Sequence, residues 1–379
     1  MFERTDDQQL FEETTRRFLE AELPLTAVRD LARTGPGFDR GLWAKGAELG
    51  WTSLLVPEEA GGASVSGNGV VDLALVAYQF GRHAAPGPLL ATNLVAAALG
   101  RFGTPDQQAG PLAQLMAGEA IATWAFAEPP PHDELGEVHL AATPDGDGFV
   151  LEGTKSPVEA GADADHVLVA ASHDGGVSQF LVPRAAAGLT ATPLRGIDLT
   201  RRFARLDFRG VHVPATSVVG EPKQAAGGVA WLADLAVAVQ LAEMAGAMRW
   251  AFDTTVEWAF NRYSFGRPLA SYQEIKHRFA DMAMWLEATD AIAGEAARAV
   301  GDDAPNRAEV VSAAKCYAGR YGPELVQDCV QLHGGIGITF DHDLHLFLRR
   351  VATDVPLFGT PGQHAARLTA ILEAREASE

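Results

Sequence analysis

Two short segments in the second half of the chain carry residue types suited to binding a phosphate-bearing ligand. The first, residues 262–269, is Arg-Tyr-Ser-Phe-Gly-Arg-Pro-Leu and is followed by Gln273. A guanidinium such as Arg262, beside the Ser264 hydroxyl and free backbone N–H groups at a helix boundary, can hold a pyrophosphate through charge and the helix-end dipole. The segment also suits an ordinary turn between two helices, with Phe265 packing inside it. Taken alone, it favours the turn.

The second segment, residues 331–339, is Gln-Leu-His-Gly-Gly-Ile-Gly-Ile-Thr. The paired glycines Gly334 and Gly335 allow a backbone to approach a ligand where a Cβ would clash, and Gln331 could contact the edge of a base or a ribose. A helix C-cap explains the glycines equally well. The segment is not a dinucleotide fingerprint, because no βαβ unit surrounds it.

Histidine and cysteine give no further chemical pattern. His342 and His345 lie three residues apart on a possible helix, but no third ligand is evident, so no metal site is predicted. Cys316 and Cys329 lie on an apparently helical segment and are interpreted as small core residues. Two cysteines cannot form a disulfide framework.

Length and charge limit the classes of function. The chain has 379 residues and a formal net charge of −19, with 47% hydrophobic and 21% charged residues. This composition is typical of a globular protein of two or three domains, and the acidic balance argues against nucleic acid as a ligand. No uncharged apolar run approaches the ~20 residues that span a bilayer, and residues 1–7 lack the order of a secretion signal. We therefore expect a cytoplasmic protein that binds no membrane.

Local signals predict an α+β fold in three parts. Residues 1–118 are predicted to form a helical domain, with a capping box at residues 5–8 and Asp39 as a second N-cap. Leu10 and Leu19, together with two phenylalanines between them, are assigned to one buried face of the first helix.

The middle of the chain changes character. Residues 119–221 contain short β-branched runs punctuated by glycine and proline, with a hairpin signal at residues 145–148 and no intervening helix. This pattern indicates an antiparallel sandwich or barrel. Residues 222–379 return to helical periodicity and predict a four-helix bundle. Its long helices are expected at about 229–260, 271–300, 305–333 and 361–376.

In this order, and in an α–β–α chain, the two segments resemble the acyl-CoA dehydrogenase family, whose pattern is Arg-x-x-Phe-Gly-x-Pro with a following Gln, then Gln-x-x-Gly-Gly-x-Gly. The resemblance covers nearly the whole chain. Val-Pro-Glu-Glu-Ala-Gly-Gly at 56–62 is similar to the family's first-domain loop, Ala-Glu-Pro at 127–129 to its strand entry, and Gly-Thr-Lys at 153–155 to its Gly-x-Lys turn. Arg-Arg at 349–350 and Gly-Thr at 359–360 resemble the ends of its catalytic segment.

The resemblance implies an FAD-dependent α,β-desaturation of an acyl-CoA thioester. In the family a carboxylate removes the α-proton while the β-hydrogen leaves as hydride to the flavin, and an electron-transfer flavoprotein then takes the electrons. The FAD lies in a cleft between the β-domain and the C-terminal bundle. Thr360 is carried over as a cofactor contact.

At both places where the family carries its catalytic glutamate, this chain has a residue that cannot accept a proton. Phe358 stands just before the Gly-Thr pair, and Ala236 stands at the alternative place on the long helix. No catalytic base is therefore predicted. Val237 stands where an arginine often contacts CoA, residues 156–159 replace the family's flavin contact, and Ala127 replaces a threonine. All these departures fall on the side of the flavin ring and the substrate.

The matching positions fall on the other half of the cofactor. In the family they reach across a subunit interface to the ADP half of a neighbour's FAD. The resemblance therefore implies that seven residues of this chain contact the cofactor of a neighbouring subunit. They are Arg262, Ser264, Phe265, Gln273, Gln331, Gly334 and Gly335. This asymmetry fits one subunit of a heteromeric acyl-CoA dehydrogenase, of the kind known in bacterial steroid degradation, whose homologous partner carries the glutamate. Such a chain is expected to have little or no activity alone.

Four carboxylates could in principle replace the missing base. Asp234 points about 200° away from Ala236 on a helix and is a poor substitute. Asp354 is interpreted as a solvated or salt-bridged surface acid, and Glu243 lies on the long helix. Glu159 is expected near the flavin edge, where a charged acid beside reduced flavin is unfavourable.

Two other functions stay open on the same fold, a flavin-dependent oxygenase or oxidase and a flavin-free structural pseudoenzyme. The acyl group is not specified by the sequence. Small residues such as those at 245–247 could leave room for a bulky, steroid-derived group, although close helix packing explains them equally well.

Overall fold

A computed structural model describes residues 4–34, 37–129 and 135–377. Residues 1–3 lie outside the described residues. They belong to the segment 1–7 that, from its sequence, is not expected to be a secretion signal. The chain passes from helices to a sheet and back to helices, which confirms the predicted order.

The N-terminal part is helical. Thr5 accepts from the backbone N–H of Gln8 in a complete capping box, and Asp39 caps its helix, so both predicted caps are confirmed. The assignment of Leu10 to the buried face is wrong, because Leu10 is 68% exposed whereas Leu19 is fully buried. The helices are α1 (Asp6–Glu22), α2 (Leu25–Thr34), α3 (Arg40–Glu48), α4 (Gly69–Arg82), α5 (Leu89–Phe102), α6 (Pro105–Gln107) and α7 (Ala113–Met116).

The middle part is one eight-stranded sheet. Its strands are β1 (Ala122–Ala125), β2 (Ala141–Asp145), β3 (Gly148–Glu159), β4 (His166–His173), β5 (Gly176–Pro183), β6 (Leu189–Leu194), β7 (Phe203–Pro214) and β8 (Val218–Val219). They follow the order β6-β7-β3-β2-β4-β5-β8, with β1 paired to β4. Most pairs are antiparallel, as predicted, but β1 and β2 both run parallel to β4. The sheet is therefore mixed. Parallel pairing of β1 with β4 is possible because the hairpin of β2 and β3 lies between them along the chain and supplies the long connection that parallel strands need.

The C-terminal part contains the four predicted long helices and one more. They are α8 (Ala226–Asn261), α9 (Gln273–Gly301), α10 (Arg307–His333), α11 (Leu344–Asp354) and α12 (Pro361–Glu376). The shorter α11 is the helix that the prediction of a four-helix bundle missed. Between α8 and α9, β9 (Tyr263–Ser264) and β10 (Arg267–Pro268) form a small hairpin.

Helix α8 is the core of the bundle. It is the one described helix with the length and apolar composition to cross a membrane, and 83% of its most apolar stretch is buried inside the protein. Glycines bring α4 and α8 together, because a Cβ on Gly246 would lie 2.0 Å from the Tyr78 carbonyl oxygen and one on Gly81 would lie 1.8 Å from that of Glu243. The small residues of α8 therefore serve close packing here.

Candidate functional site

A cavity of about 280 Å³ lies where the three parts of the chain meet. Helix α5 contributes Ala91 and Leu94, and the sheet contributes residues of β1 and β3. The C-terminal part contributes the segment between α11 and α12, which includes Phe358 and Gly359. The cavity thus contains the position at which the sequence lacks a catalytic glutamate.

Three aromatic rings line this cavity in near-parallel arrangement. The ring centroids of Trp124 and Phe126 are 4.5 Å apart with an interplanar angle of 24°. Phe358 lies 6.2 Å from Trp124 at 13°, and 6.4 Å from Phe126 at 34°. Rings at these distances attract one another. Phe358 therefore packs onto the sheet as the third member of what we call the aromatic stack, namely Trp124, Phe126 and Phe358.

The backbone that presents Phe358 has an unusual conformation. Phe358 has a φ of 58° and Gly359 a φ of 107°. A left-handed conformation is costly for a residue other than glycine and persists only where the surroundings hold it. Here Lys315 Nζ donates to the Leu357 carbonyl oxygen at 2.9 Å, and His364 Nε2 lies 3.1 Å from that of Phe358. Helices α10 and α12 thus fix the segment from both sides.

Gly359→Ala is expected to lower the free energy of unfolding by about 1–3 kcal/mol. The new Cβ would lie 2.8 Å from both His364 Nε2 and Leu135 Cδ1, in a backbone conformation that favours glycine. The matched control is Gly362→Ala, whose Cβ would have no neighbour nearer than 3.8 Å. We expect that control to be neutral or stabilising by up to about 1 kcal/mol, since alanine favours a helix. Urea denaturation measures both, and equal losses would contradict the account of this turn.

The carboxylate of Glu128 lines the cavity but is committed to structural bonds. It accepts from Lys155 Nζ at 2.6 Å and from the backbone N–H groups of His139 and Leu140 at 3.0 Å. Burial acts to raise the pKa of Glu128, but the Lys155 charge and these hydrogen bonds outweigh it and lower that pKa. A carboxylate held ionised in this way is a weak proton acceptor.

Glu159, the second cavity-lining acid, is likewise occupied. Both of its oxygens accept from Arg201, at 2.6 Å from Nε and 2.5 Å from Nη2. The same guanidinium donates to Asp354 at 2.5 Å. The prediction that Asp354 is a surface acid is wrong, because the residue is fully buried. Burial, together with the charge of Glu243, raises the pKa of Asp354 to about 8 against the opposing effect of Arg201.

The other two candidate carboxylates on α8 are also paired. Asp234 is buried and accepts from Arg367 at 2.6 Å, with Arg307 at 3.4 Å. Glu243 accepts from Arg350. Each of the four carboxylates considered as a substitute base is therefore bound to a guanidinium, and none of them is placed to take a proton from a ligand in the cavity.

Arg350, in the predicted basic pair, turns out to be a fully buried ion-pair centre. Its Nε donates to Asp198 at 2.6 Å, and its Nη2 donates to Thr200 at 2.5 Å and to the Ala85 carbonyl oxygen at 3.2 Å. With Glu243 on α8, these partners come from all three parts of the chain. Sequence reasoning missed this junction, because its members are distant along the chain.

The first predicted nucleotide-binding segment is a rigid hairpin at the surface. Phe265 sits at its tip with a φ of 49° and is 99% exposed. The Tyr272 hydroxyl donates to the Ser264 carbonyl oxygen at 2.7 Å, and the Arg267 guanidinium lies 3.8 Å from the Tyr272 ring centroid. The hairpin therefore presents an apolar ring to solvent, and after a short turn Gln273 begins α9.

The second segment ends α10. Gly334 has a φ of 66° and its N–H donates to the Gln331 carbonyl oxygen, so the glycine is a helix terminator, as the alternative interpretation held. A Cβ at either Gly334 or Gly335 would meet no atom within 4 Å, so the backbone is also open to an approaching ligand. Ile338 nearby is 78% exposed.

The structure brings the two segments together through stacked rings. The Arg262 guanidinium lies 5.9 Å from the Trp258 ring, and Trp258 stacks on His333 at 5.1 Å. Thr360 caps α12, and its hydroxyl is engaged by Gln363. The assignment of these residues to a cofactor stays a prediction.

Family models cover most of the chain. Acyl-CoA dehydrogenase N-terminal, middle and C-terminal domains match residues 5–119, 123–211 and 236–370. Similar proteins include acyl-CoA dehydrogenase FadE27 of Mycobacterium tuberculosis, 32% identical over 88% of this chain and 89% of that protein. Acyl-CoA dehydrogenase IpdE2 of the same organism is 31% identical over 96% of both chains.

Solved structures show the same fold. A chain of the ChsE4–ChsE5 complex from Mycobacterium tuberculosis matches with a TM-score of 0.88 and 29% identity over 100% of this chain and 99% of that one. A chain of a variant of the Tcur3481–Tcur3483 steroid ACAD matches with a TM-score of 0.88 and 27% identity over 99% of each chain. The three-part fold, the two segments and these matches agree, and the chain belongs to the acyl-CoA dehydrogenase family of oxidoreductases.

Proposed function

We propose that this chain is the subunit without a catalytic glutamate in a heteromeric acyl-CoA dehydrogenase, and that it completes the FAD site of a homologous catalytic partner. One contrast within the molecule carries the proposal. Where the family has a proton acceptor, Phe358 closes an aromatic stack, whereas Phe265 is presented fully exposed on a rigid hairpin. The chain keeps a surface for a partner, while in the described part of its own cavity a phenylalanine occupies the place of the family's glutamate.

The exposed segments suit the nucleotide half of FAD. Arg262 supplies a positive charge for a pyrophosphate, Phe265 supplies a flat apolar face, and the open backbone at Gly334 and Gly335 allows close approach. FAD, when bound, supplies the acceptor for the hydride of the desaturation. The described part of the chain's own cavity departs from the family's arrangement, because Phe358 stands in place of the glutamate and both Glu128 and Glu159 are held by cations. Glu137, the third described acid that lines it, lies 3.3 Å from His139, and no step is assigned to the cavity.

The names of similar structures support the proposed substrate class and the proposed partner. Two of the similar structures are the ChsE4–ChsE5 complex and a steroid ACAD of two components, Tcur3481 and Tcur3483. These names support a two-chain enzyme acting on a CoA thioester with a bulky, steroid-derived acyl group. We further propose that the enzyme is cytoplasmic and passes its electrons to an electron-transfer flavoprotein.

The proposal is tested by purifying the full chain alone and together with a homologue that carries the glutamate. The chain alone is expected to hold little FAD and to show no desaturation of steroid-derived acyl-CoA, whereas the complex holds FAD that acyl-CoA bleaches. Stoichiometric flavin in the isolated chain, bleached by acyl-CoA, would defeat the proposal. Oxygen consumption by the reduced flavin would favour an oxygenase or oxidase, and a flavin-free complex would favour a structural pseudoenzyme.

A further inference from the structure

The segment between α11 and α12 decides whether the aromatic stack is closed, because it carries Phe358. This residue and Gly359 both have positive φ values. A short connection in such a conformation needs bonds from outside itself to persist. The question is which side chain supplies them.

Lys315 of α10 supplies the largest share of these bonds. Its ammonium donates to the Asp354 carbonyl oxygen at 2.7 Å, to the Leu357 carbonyl oxygen at 2.9 Å and to Gln240 Oε1 at 2.6 Å. A lysine ammonium has three N–H donors, so all three are used. Asp354 is the last residue of α11, and a cation is favourable beside the unpaired carbonyls at a helix C-terminus.

An ammonium is costly at this place. Lys315 is 1% exposed, and its burial lowers its pKa to about 8, with the charge of Asp354 opposing this effect and that of Arg201 adding to it. An apolar side chain of similar length would fill the same volume without that cost. The hydrogen bonds from Lys315 to the segment offset part of the cost of burying its charge.

We propose that Lys315 is a positioning residue for the cavity, whose bonds to the segment after α11 hold Phe358 in the aromatic stack. The inference rests on the proposed function only where the closed stack is interpreted as a cavity without a catalytic glutamate. The bonds of Lys315 to the segment do not depend on that function. Without Lys315, the partly buried Leu357 carbonyl oxygen loses its donor and gains one from water when the segment opens. The closed arrangement is thus favoured locally, and loss of these bonds is expected to act on the segment more than on the fold as a whole.

The test is amide hydrogen exchange of Val355 in the full chain as purified, because Val355 is the first residue of the segment and its N–H donates to the Val351 carbonyl oxygen at 3.3 Å. Lys315→Met is expected to speed this exchange by about 10- to 100-fold, the loss expected for hydrogen bonds to a charged group. Amides in the middle of α9 report the stability of the whole fold, and their exchange is expected to change far less. The matched control, Gln240→Leu, removes a buried partner of Lys315 but leaves both bonds to the segment, and it is expected to leave the Val355 amide slow.

A spectroscopic measurement tests the same inference independently. Opening the stack exposes the ring of Trp124 to solvent. This exposure is measured as the difference in acrylamide quenching of tryptophan fluorescence between each protein and its Trp124→Phe counterpart. Lys315→Met is expected to raise this difference and Gln240→Leu to leave it unchanged. If Lys315→Met cannot be purified, Lys315→Gln, which keeps two shorter-reaching donors, is expected to give a smaller increase of both readouts.

Two results would overturn the inference. One is unchanged exchange and quenching in Lys315→Met, and the other is acceleration of the α9 amides by the same factor as the segment, which indicates a merely structural lysine. Neither readout involves flavin. Failure of the proposed function, seen as stoichiometric flavin in the isolated chain, is therefore distinguishable from failure of this inference.

Discussion

Arg350→Leu is expected to lower the free energy of unfolding by about 3–5 kcal/mol, the usual cost of removing one partner from a buried ion pair. Arg350 is fully buried and its side chain bonds Asp198, Thr200 and Glu243. Leucine would leave Asp198 and Glu243 without their nearest cation in a largely buried place. Urea denaturation followed by circular dichroism measures the loss.

The neighbouring arginine is the matched control. Arg349 is half-buried, donates to the Ile197 carbonyl oxygen at 3.1 Å and lies 5.3 Å from the Phe340 ring centroid. Arg349→Leu removes the same charge one residue away and is expected to cost about 1 kcal/mol or less. Similar losses in the two variants would mean that Arg350 is not the ionic centre of the three-part junction.

This junction shows where prediction from the sequence ends. The capping box of α1 and the cap at Asp39 were predictable, because each depends on residues within one helical turn. The ion pair of Asp354 with Arg201 joins residues 153 positions apart. No local pattern identifies such a partner, so residue type alone favours a surface position for Asp354.

Geometry also explains the error in α1. Leu10 and Leu19 are nine residues apart, and at about 100° per residue this separation places them on opposite faces of a helix. The exposure of Leu10 and the burial of Leu19 agree with that angle. A count of apolar residues identified the helix, but only the angle between them identifies the buried face.

The cavity was predictable in part. The resemblance identified Phe358 as the residue in place of the glutamate, but it did not supply the two rings against which Phe358 packs. Trp124 and Phe126 are two residues apart at the end of β1, and alternate residues of a strand face the same side. This alternation is the signal that could have found them. Their meeting with Phe358 depends on how the sheet docks on the bundle.

Phe265→Ala is expected to weaken FAD binding by the complex with the catalytic partner by about 30-fold, which corresponds to about 2 kcal/mol for an aromatic anchor at an interface. Phe265 is 99% exposed in this chain and makes no core contact that truncation would break. The stability of the isolated chain is therefore expected to stay within about 0.5 kcal/mol of the parent protein. Equilibrium dialysis of FAD against the complex, with thermal unfolding of the chain alone, separates the two effects.

Leu372→Ala is the control, because Leu372 is a 47% exposed apolar residue on α12, away from the hairpin. It is expected to change neither measurement. An exposed phenylalanine in a left-handed conformation gains nothing for the isolated chain, since it buries no surface there. Its benefit has to come from what the hairpin contacts in an assembly. Unchanged FAD binding in Phe265→Ala would remove the main support for cofactor completion across a subunit interface, even if the two chains still associate.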